Sequence, residues 1–244
     1  MRRITKSDVK ELDARGVIVL RSVFGPSDMA SLAATIERYQ RIQNEEIARK
    51  GGSDGISRAN EITFTSHLAE HDPAIMSFCH RNELVDIATA LLGGDVDLYW
   101  NQAVFKMPEG RKEFPWHQDD GYTPVTPSPY LTLWLALNDA TVENGCISVL
   151  PGSHKRGLLP HEKTPLGLAC HAPDDPDQGV PVPLEAGSLA VFWSLTAHKS
   201  GANVSSGVRK AYIIQYSKAG LRNLKTGEPI EKLTPIARGG VAVA

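Results

Sequence analysis

The chain has 244 residues, 41% of them hydrophobic and 22% charged, and a formal net charge of -2. That balance predicts one soluble globular domain with a sizeable core and argues against a nucleic-acid or anionic-membrane binder, because neither is met by a basic face. Cys79, Cys146 and Cys170 form no CxxC pair, no apolar run nears the roughly 20 residues of a membrane span, and the start Met1-Arg2-Arg3-Ile4-Thr5-Lys6 turns polar at once; a reducing, cytoplasmic setting is expected.

Thr5 to Arg15 reads as a helix capped by Thr5 with Asp8 three residues on, and Gly16 ends it. Val17 to Leu20 follows as a buried strand. Gly25-Pro26-Ser27-Asp28 opens a longer helix to about Lys50, with Met29, Leu32, Ala33, Ile36, Tyr39 and Ile42 near helical spacing. Its polar second half, from Gln40, is expected to leave the core. Ser57 to Ser66 is a candidate strand with Ile62 and Phe64 on one face. Asp72-Pro73 starts another helix, and Leu84 to Leu92 is a further one closed by Gly93-Gly94.

From Asp95 the pattern changes to short apolar runs: Asp95 to Met107, Leu131 to Asn138, Cys146 to Leu150, Val180 to Leu184, Ser188 to Trp193 and Arg209 to Ser217. Turn residues such as Glu143-Asn144-Gly145 and Ser205-Ser206-Gly207 separate them. Many short strands broken this way predict a double-sheet jelly roll or barrel. Lys163 to Gly179 is rich in Pro and Asp, has no period, and reads as a long loop of the kind that covers binding sites.

Pro115-Trp116-His117-Gln118-Asp119-Asp120 carries the chemistry. On an extended backbone residues i and i+2 share a side, so His117 and Asp119 can aim one nitrogen and one oxygen at a single point. With a second, distant His this becomes the facial arrangement that holds non-haem Fe(II). Alone, the pair reads equally as a surface turn or a satisfied polar contact. Farther on come Trp134, Asn144-Gly145-Cys146 leading to Pro151-Gly152-Ser153-His154, and His198 followed by Arg209.

In this order the set resembles the phytanoyl-CoA dioxygenase family of Fe(II)/2-oxoglutarate oxygenases, well over about residues 95 to 218 and more loosely before. The resemblance implies a mainly β fold with flanking α: a double-stranded β-helix (jelly roll, cupin-like) core at about 95–218, N-terminal helices at about 1–94 packed outside, and a tail at 219–244. It implies His117, Asp119 and His198 as iron ligands, with 2-oxoglutarate and O2 as cosubstrates. Arg209 would hold the distal carboxylate of 2-oxoglutarate through its planar fork, with Ser200 as hydroxyl partner. Gln102 and Trp134 fall at cosubstrate-lining positions, and Asn60 is a further candidate from the early strand. A turn at Ser205-Ser206-Gly207 would bring Arg209 back beside His198 and Ser200.

Each residue has a plainer reading. His198 also reads as a core histidine, Arg209 as a surface ion-pairer, and Trp134 and Gln102 as packing residues. His154 reads as support for its loop, and His161 and His171 as solvated or substrate-facing. Asp120 and Tyr122 suit the substrate side, although Asp120 also suits a ligand-orienting acceptor or a solvated one. The expected activity is hydroxylation of a small metabolite: the resemblance implies that a carboxylate at Asp119 takes the place of a halide, no basic cluster awaits a CoA phosphate, and desaturation, epoxidation and ring formation stay open. An acyl-CoA hydroxylase of the phytanoyl-CoA type, a non-redox cupin-like metal enzyme and a degenerate binding protein are the rivals. No pattern fixes an oligomeric state.

Overall fold

The computed structural model describes residues 3–108, 112–171 and 179–243. The chain opens with α1 (Lys6–Arg15), whose capping box joins Thr5 and Asp8 as expected. Gly16 adopts φ 81° at its end, which lets β1 (Val17–Leu20) begin at once. Next come α2 (Pro26–Arg49), β2 (Ser53–Asp54), β3 (Ser57–Arg58), β4 (Ile62–Ser66), α3 (Leu68–His71), α4 (Pro73–Cys79) and α5 (Asn82–Leu92). Asp72 caps α4 by accepting from the amides of Ala74 and Ile75.

Two expectations need adjustment in this half. The second half of α2 leaves the core over most of its length as expected, but Gln40 and Ile47 are buried. The Gln40 amide is satisfied by the hydroxyls of Thr63 and Thr65 on β4, so a polar residue packs where polarity alone predicts exposure. The strand expected from Ser57 to Ser66 breaks into β3 and β4 at Asn60, which has φ 62°.

The second half supplies β5 (Val96–Lys106), β6 (Phe114–His117), β7 (Val125–Thr126), β8 (Leu131–Ala136), β9 (Ile147–Val149), β10 (His161–Thr164), β11 (Gly167–Cys170), β12 (Val180–Pro181), β13 (Leu189–Trp193), β14 (His198–Ser200), β15 (Arg209–Lys218), β16 (Arg222–Asn223), β17 (Thr234–Arg238) and β18 (Val241–Ala242). The larger antiparallel sheet runs β1-β13-β8-β15-β5-β4-β3-β2, with β17 and β18 attached to β5. The smaller runs β12-β9-β14-β6. Together they form the expected jelly roll.

Strand alternation sorts the larger sheet into two faces. Leu131, Leu133, Leu135, Leu189, Val191, Tyr212, Ile214 and Tyr216 face outwards and join the helices in the main core. Trp134, Ala136, Ala190, Phe192 and Ala211 face inwards against Ile147 and Val149 of the smaller sheet. The inner space is therefore walled on both sides by strands, and the site lies within it.

Two loop expectations are corrected, and the tail takes a definite place. Part of the stretch expected as a loop from Lys163 pairs as the hairpin β10–β11, while residues 172–178 lie outside the described residues. The tail is ordered against the core: β17 pairs with β5, and Ile236 and Ala237 are buried. The turn at Ser205–Gly207 does not close a hairpin. It carries the chain from β14, which pairs with β6 and β9, to β15 in the other sheet, which pairs with β5 and β8.

Candidate metal centre and its cavity

A cavity of about 390 Å³ opens between the sheets. His117 ends β6, Asp119 begins a short 3-10 turn, and His198 starts β14 directly opposite His117. Gln118 between them is extended, with φ -112° and ψ 139°, which keeps His117 and Asp119 on one side. The β6–β14 register shifts between His198 and Ser200, and such an irregularity re-aims side chains at a sheet rim. Ligand atoms of His117, Asp119 and His198 all lie within 4.8 Å of one another.

Their other atoms are already spoken for. Nδ1 of His117 donates to the Pro115 carbonyl at 2.9 Å, and Nδ1 of His198 to the Thr196 carbonyl at 3.0 Å. Both Nε2 atoms therefore carry the lone pair. They face Oδ1 of Asp119 at 3.9 and 3.7 Å. Oδ2 of Asp119 accepts from the Thr132 hydroxyl at 2.7 Å and from the Gln215 amide at 3.0 Å, which leaves Oδ1 as the open donor. Burial holds His117 well below its usual imidazole range, and neighbouring His198 adds to this, so its neutral form is favoured. Two imidazoles and one carboxylate, each oriented from behind, fit a divalent iron.

Gln118, fully buried, staples the surrounding loops. Its amide donates to the carbonyls of Gly157 and Leu195, and its oxygen accepts from the Leu159 amide. Nε2 of His161 accepts from the backbone N–H of Gln118 at 3.1 Å, so this histidine is a brace rather than a solvated or substrate-facing group. His171 is exposed. His154 supports its loop as expected, bonding the Asp13 carbonyl at 3.0 Å.

The strand register places the rest. Across the inner face of β5, β15 and β8, Arg209 pairs with Lys106; Ala211 with Val104 and Ala136; Ile213 with Gln102 and Trp134; and Gln215 with Trp100 and Thr132. Successive rows are about 7 Å apart. Asp119 is held at the Gln215–Thr132 row. Gln102 and Trp134 occupy the next row down, towards Arg209, and both line the cavity. Ser200 lines it as well.

Arg209 is 1% exposed. Its contacts among the described residues are weak: Nη1 to the Val104 carbonyl at 3.5 Å and the face of Trp134 at 5.2 Å. Nε has no hydrogen-bond partner among the described residues. Burial pulls the guanidinium down to about 10. A buried cation in that state awaits an anion. Lys106, also buried, donates to the Ser200 hydroxyl at 3.3 Å and to the Gly201 carbonyl, so a second positive charge stands behind Ser200.

Two candidates lie elsewhere. Asn60 sits in the β3–β4 turn and does not line the cavity. Asp120 is buried away from it, accepts from the Ser128 hydroxyl, and is pushed up to about 6 by burial. Tyr122 does line the cavity. Sequence reading missed Thr132 and Gln215, although the period-two spacing from Trp134 and Arg209 puts both on the inner face.

A jelly roll whose mouth gathers two imidazoles and a carboxylate is the scaffold of the non-haem iron oxygenase class. The family model for phytanoyl-CoA dioxygenase (PhyH) matches residues 12–211, and the chain belongs to that family. A probable phytanoyl-CoA dioxygenase of Caenorhabditis elegans is 32% identical over 195 residues, covering 74% of this chain and 61% of the relative. A probable alpha-ketoglutarate-dependent hypophosphite dioxygenase of Stutzerimonas stutzeri is 32% identical over 154 residues, covering 60% and 54%. The chain thus spans less than two thirds of the length of either relative. Among solved structures, the non-heme alpha ketoglutarate dependent carbocyclase SnoK from nogalamycin biosynthesis superposes with a TM-score of 0.75 at 24% identity, covering 95% of this chain and 96% of its own. EvdO2 from Micromonospora carbonacea var. aurantiaca gives 0.74 at 25% identity, covering 93% and 96%. These likenesses establish the fold.

Proposed function

We propose that this protein is an Fe(II)- and 2-oxoglutarate-dependent dioxygenase that hydroxylates an unactivated C–H bond of a small metabolite or natural-product intermediate, releasing succinate and CO2. The observation that carries this is the pairing, in one cavity, of the His117–Asp119–His198 cluster with a buried, anion-seeking Arg209. A non-redox metal enzyme has no use for the second element. Membership of the family supports the same reading.

Iron bound by the three side chains, with 2-oxoglutarate and O2, would supply the oxidising chemistry. The protein's own residues have separable tasks. Thr132 and Gln215 fix the Asp119 carboxylate so that one oxygen faces the metal. Arg209, with Ser200, receives the distal carboxylate of the cosubstrate, and Trp134 and Gln102 flank its path. Phe114, Phe192 and Ile213 exclude water. Asp119 occupies the position a halide would need, which favours hydroxylation. The free, buried thiols of Cys79, Cys146 and Cys170 favour a reducing compartment, and on that ground we assign the cytoplasm.

The test is anaerobic addition of Fe(II) and 2-oxoglutarate, followed by visible absorption. A weak metal-to-ligand charge-transfer band is expected, lost in Arg209→Ala at limiting cosubstrate. Folded protein that binds iron but shows no band overturns the proposal.

A further inference from the structure

Above the metal ligands the cavity changes character. At and beyond the Gln215–Thr132 row its wall is built from Tyr99, Trp100, Tyr122 and Tyr130. Each of these rings is fixed before any ligand arrives. Tyr99 and Tyr130 meet edge to face at 5.0 Å. Trp100 packs edge-on against the His67 ring at 4.2 Å. The Tyr122 hydroxyl accepts from the Leu168 amide at 3.3 Å, which ties the ring to the β10–β11 hairpin. A flexible chain gains little from rigid aromatic faces, whereas a flat ring stacks on them with little entropy lost.

The same wall offers no charge to a ligand. Of the charged residues lining the cavity, Asp54 is paired with Lys50 at 2.7 Å and Lys199 with Glu113 at 2.8 Å. Lys199 also lies 5.5 Å above the Trp116 ring. Asp119 faces the metal position, and Arg209 stands three rows below, at the cosubstrate end. Arg58, beside the mouth, spends its guanidinium on the carbonyls of Gly55, Ser57 and Pro165. The polar groups left to a ligand are neutral, among them the Thr123 hydroxyl and the side-chain amide of Gln43. A carboxylate, phosphate or ammonium carried into this wall would be desolvated without a partner among the described residues.

We propose that the part of the substrate entering this cavity is an uncharged, flat ring system bearing hydroxyl or carbonyl groups, stacked between Trp100 and the Tyr99–Tyr130 pair. The assignment rests on the iron and 2-oxoglutarate reading, which fixes Arg209 as taken by the cosubstrate. It separates this chain from its relatives named for a CoA thioester and for hypophosphite, since both of those substrates are anionic.

The experiment titrates the anaerobic protein, loaded with Fe(II) and 2-oxoglutarate, with matched probes: 2-naphthol, 2-naphthoate and 2-naphthyl phosphate, then hypophosphite and palmitoyl-CoA. Calorimetry gives each Kd, and movement of the absorption band reports entry beside the metal. Naphthol should bind at least tenfold more tightly than either naphthyl anion and should move the band. Trp100→Leu should weaken naphthol at least tenfold while the band itself still forms, which separates a lost wall from a lost fold. Tighter binding of hypophosphite, palmitoyl-CoA or the naphthyl anions overturns the assignment, as does failure of naphthol to bind at millimolar concentration. If no band forms, the iron and 2-oxoglutarate reading has failed instead; the naphthol-to-naphthoate ratio on the metal-free protein then still decides the charge preference.

Discussion

Arg209 lets stability and cofactor binding be set against each other. In this fold its guanidinium is buried, and among the described residues it is held by a 3.5 Å contact to the Val104 carbonyl and the face of Trp134. Burial pulls it down to about 10, which corresponds to roughly 3 kcal/mol of lost hydration. The charged form is the disfavoured one, so the cost is present in full at every pH below about 10 and is relieved only above it. Arg209→Met keeps most of the stem volume and removes the charge. The ligand-free variant should therefore melt higher than the parent, by about 2–4 °C for each kcal/mol recovered in a chain of this size, less whatever the imperfect fit of Met costs. Binding of 2-oxoglutarate should move the other way. Losing a charge-assisted fork of two hydrogen bonds costs about 3–6 kcal/mol, or roughly two to four decades in Kd. Differential scanning calorimetry with and without 2-oxoglutarate reads both effects. Wild-type protein should gain stability as the ligand exceeds its Kd, and the variant should gain none at the same concentrations. A variant that melts lower than the parent yet keeps its 2-oxoglutarate-dependent gain would refute both the buried-charge argument and the role of Arg209.

The Asp119 cradle gives a second prediction. Thr132→Val or Gln215→Leu removes a donor to Oδ2, and metal affinity should fall about 10–100-fold; competition against a coloured chelator measures it, and unchanged affinity in both variants would exclude the positioning role. Lys106→Met removes the ammonium behind Ser200 and strands the Gly201 carbonyl. We expect weaker 2-oxoglutarate binding with metal affinity retained, and equal loss of both would indicate general damage instead. Gly145 has φ 81°, and a Cβ there would run into the Gly201 carbonyl. Gly145→Ala should cost about 1–3 kcal/mol from backbone conformation alone and more from the clash, read as a lowered denaturation midpoint; an unchanged midpoint would show that the turn relaxes freely.

Much of this site was legible in the sequence because strands impose a simple rule. His117 and Asp119 share a side through one extended residue, and His198 and Ser200 through another. Each pair could be placed without knowing the rest of the fold. What could not be read was contact between sheets. The closeness of Ser200 to Arg209 was expected from a hairpin, but it arises across the barrel through Lys106. Asn60 failed for a local reason: a left-handed residue in a tight turn spends its position on the turn. Gln40 and His161 failed for another, since a buried polar side chain is visible only once its partner is known. The tail lacked any run long enough to declare a strand, and β17 pairs with β5 over few residues.

Strand β15 shows why the core and the site cannot vary independently. Its odd-numbered residues from Arg209 to Gln215 face the cavity, and its even-numbered residues Tyr212, Ile214 and Tyr216 face the helices. Tyr212 donates to Asn101 and Tyr216 to the Cys79 carbonyl, both on the helical side. A slip of one residue would exchange the two sets. It would place the Arg209 charge and the Gln215 amide among the leucines of the main core, and two tyrosine hydroxyls at the metal. The packing that stabilises the fold therefore also sets the register that aligns Arg209, the iron position and the aromatic wall along one axis. On the proposed reading, one end of that axis receives the cosubstrate and the other the substrate.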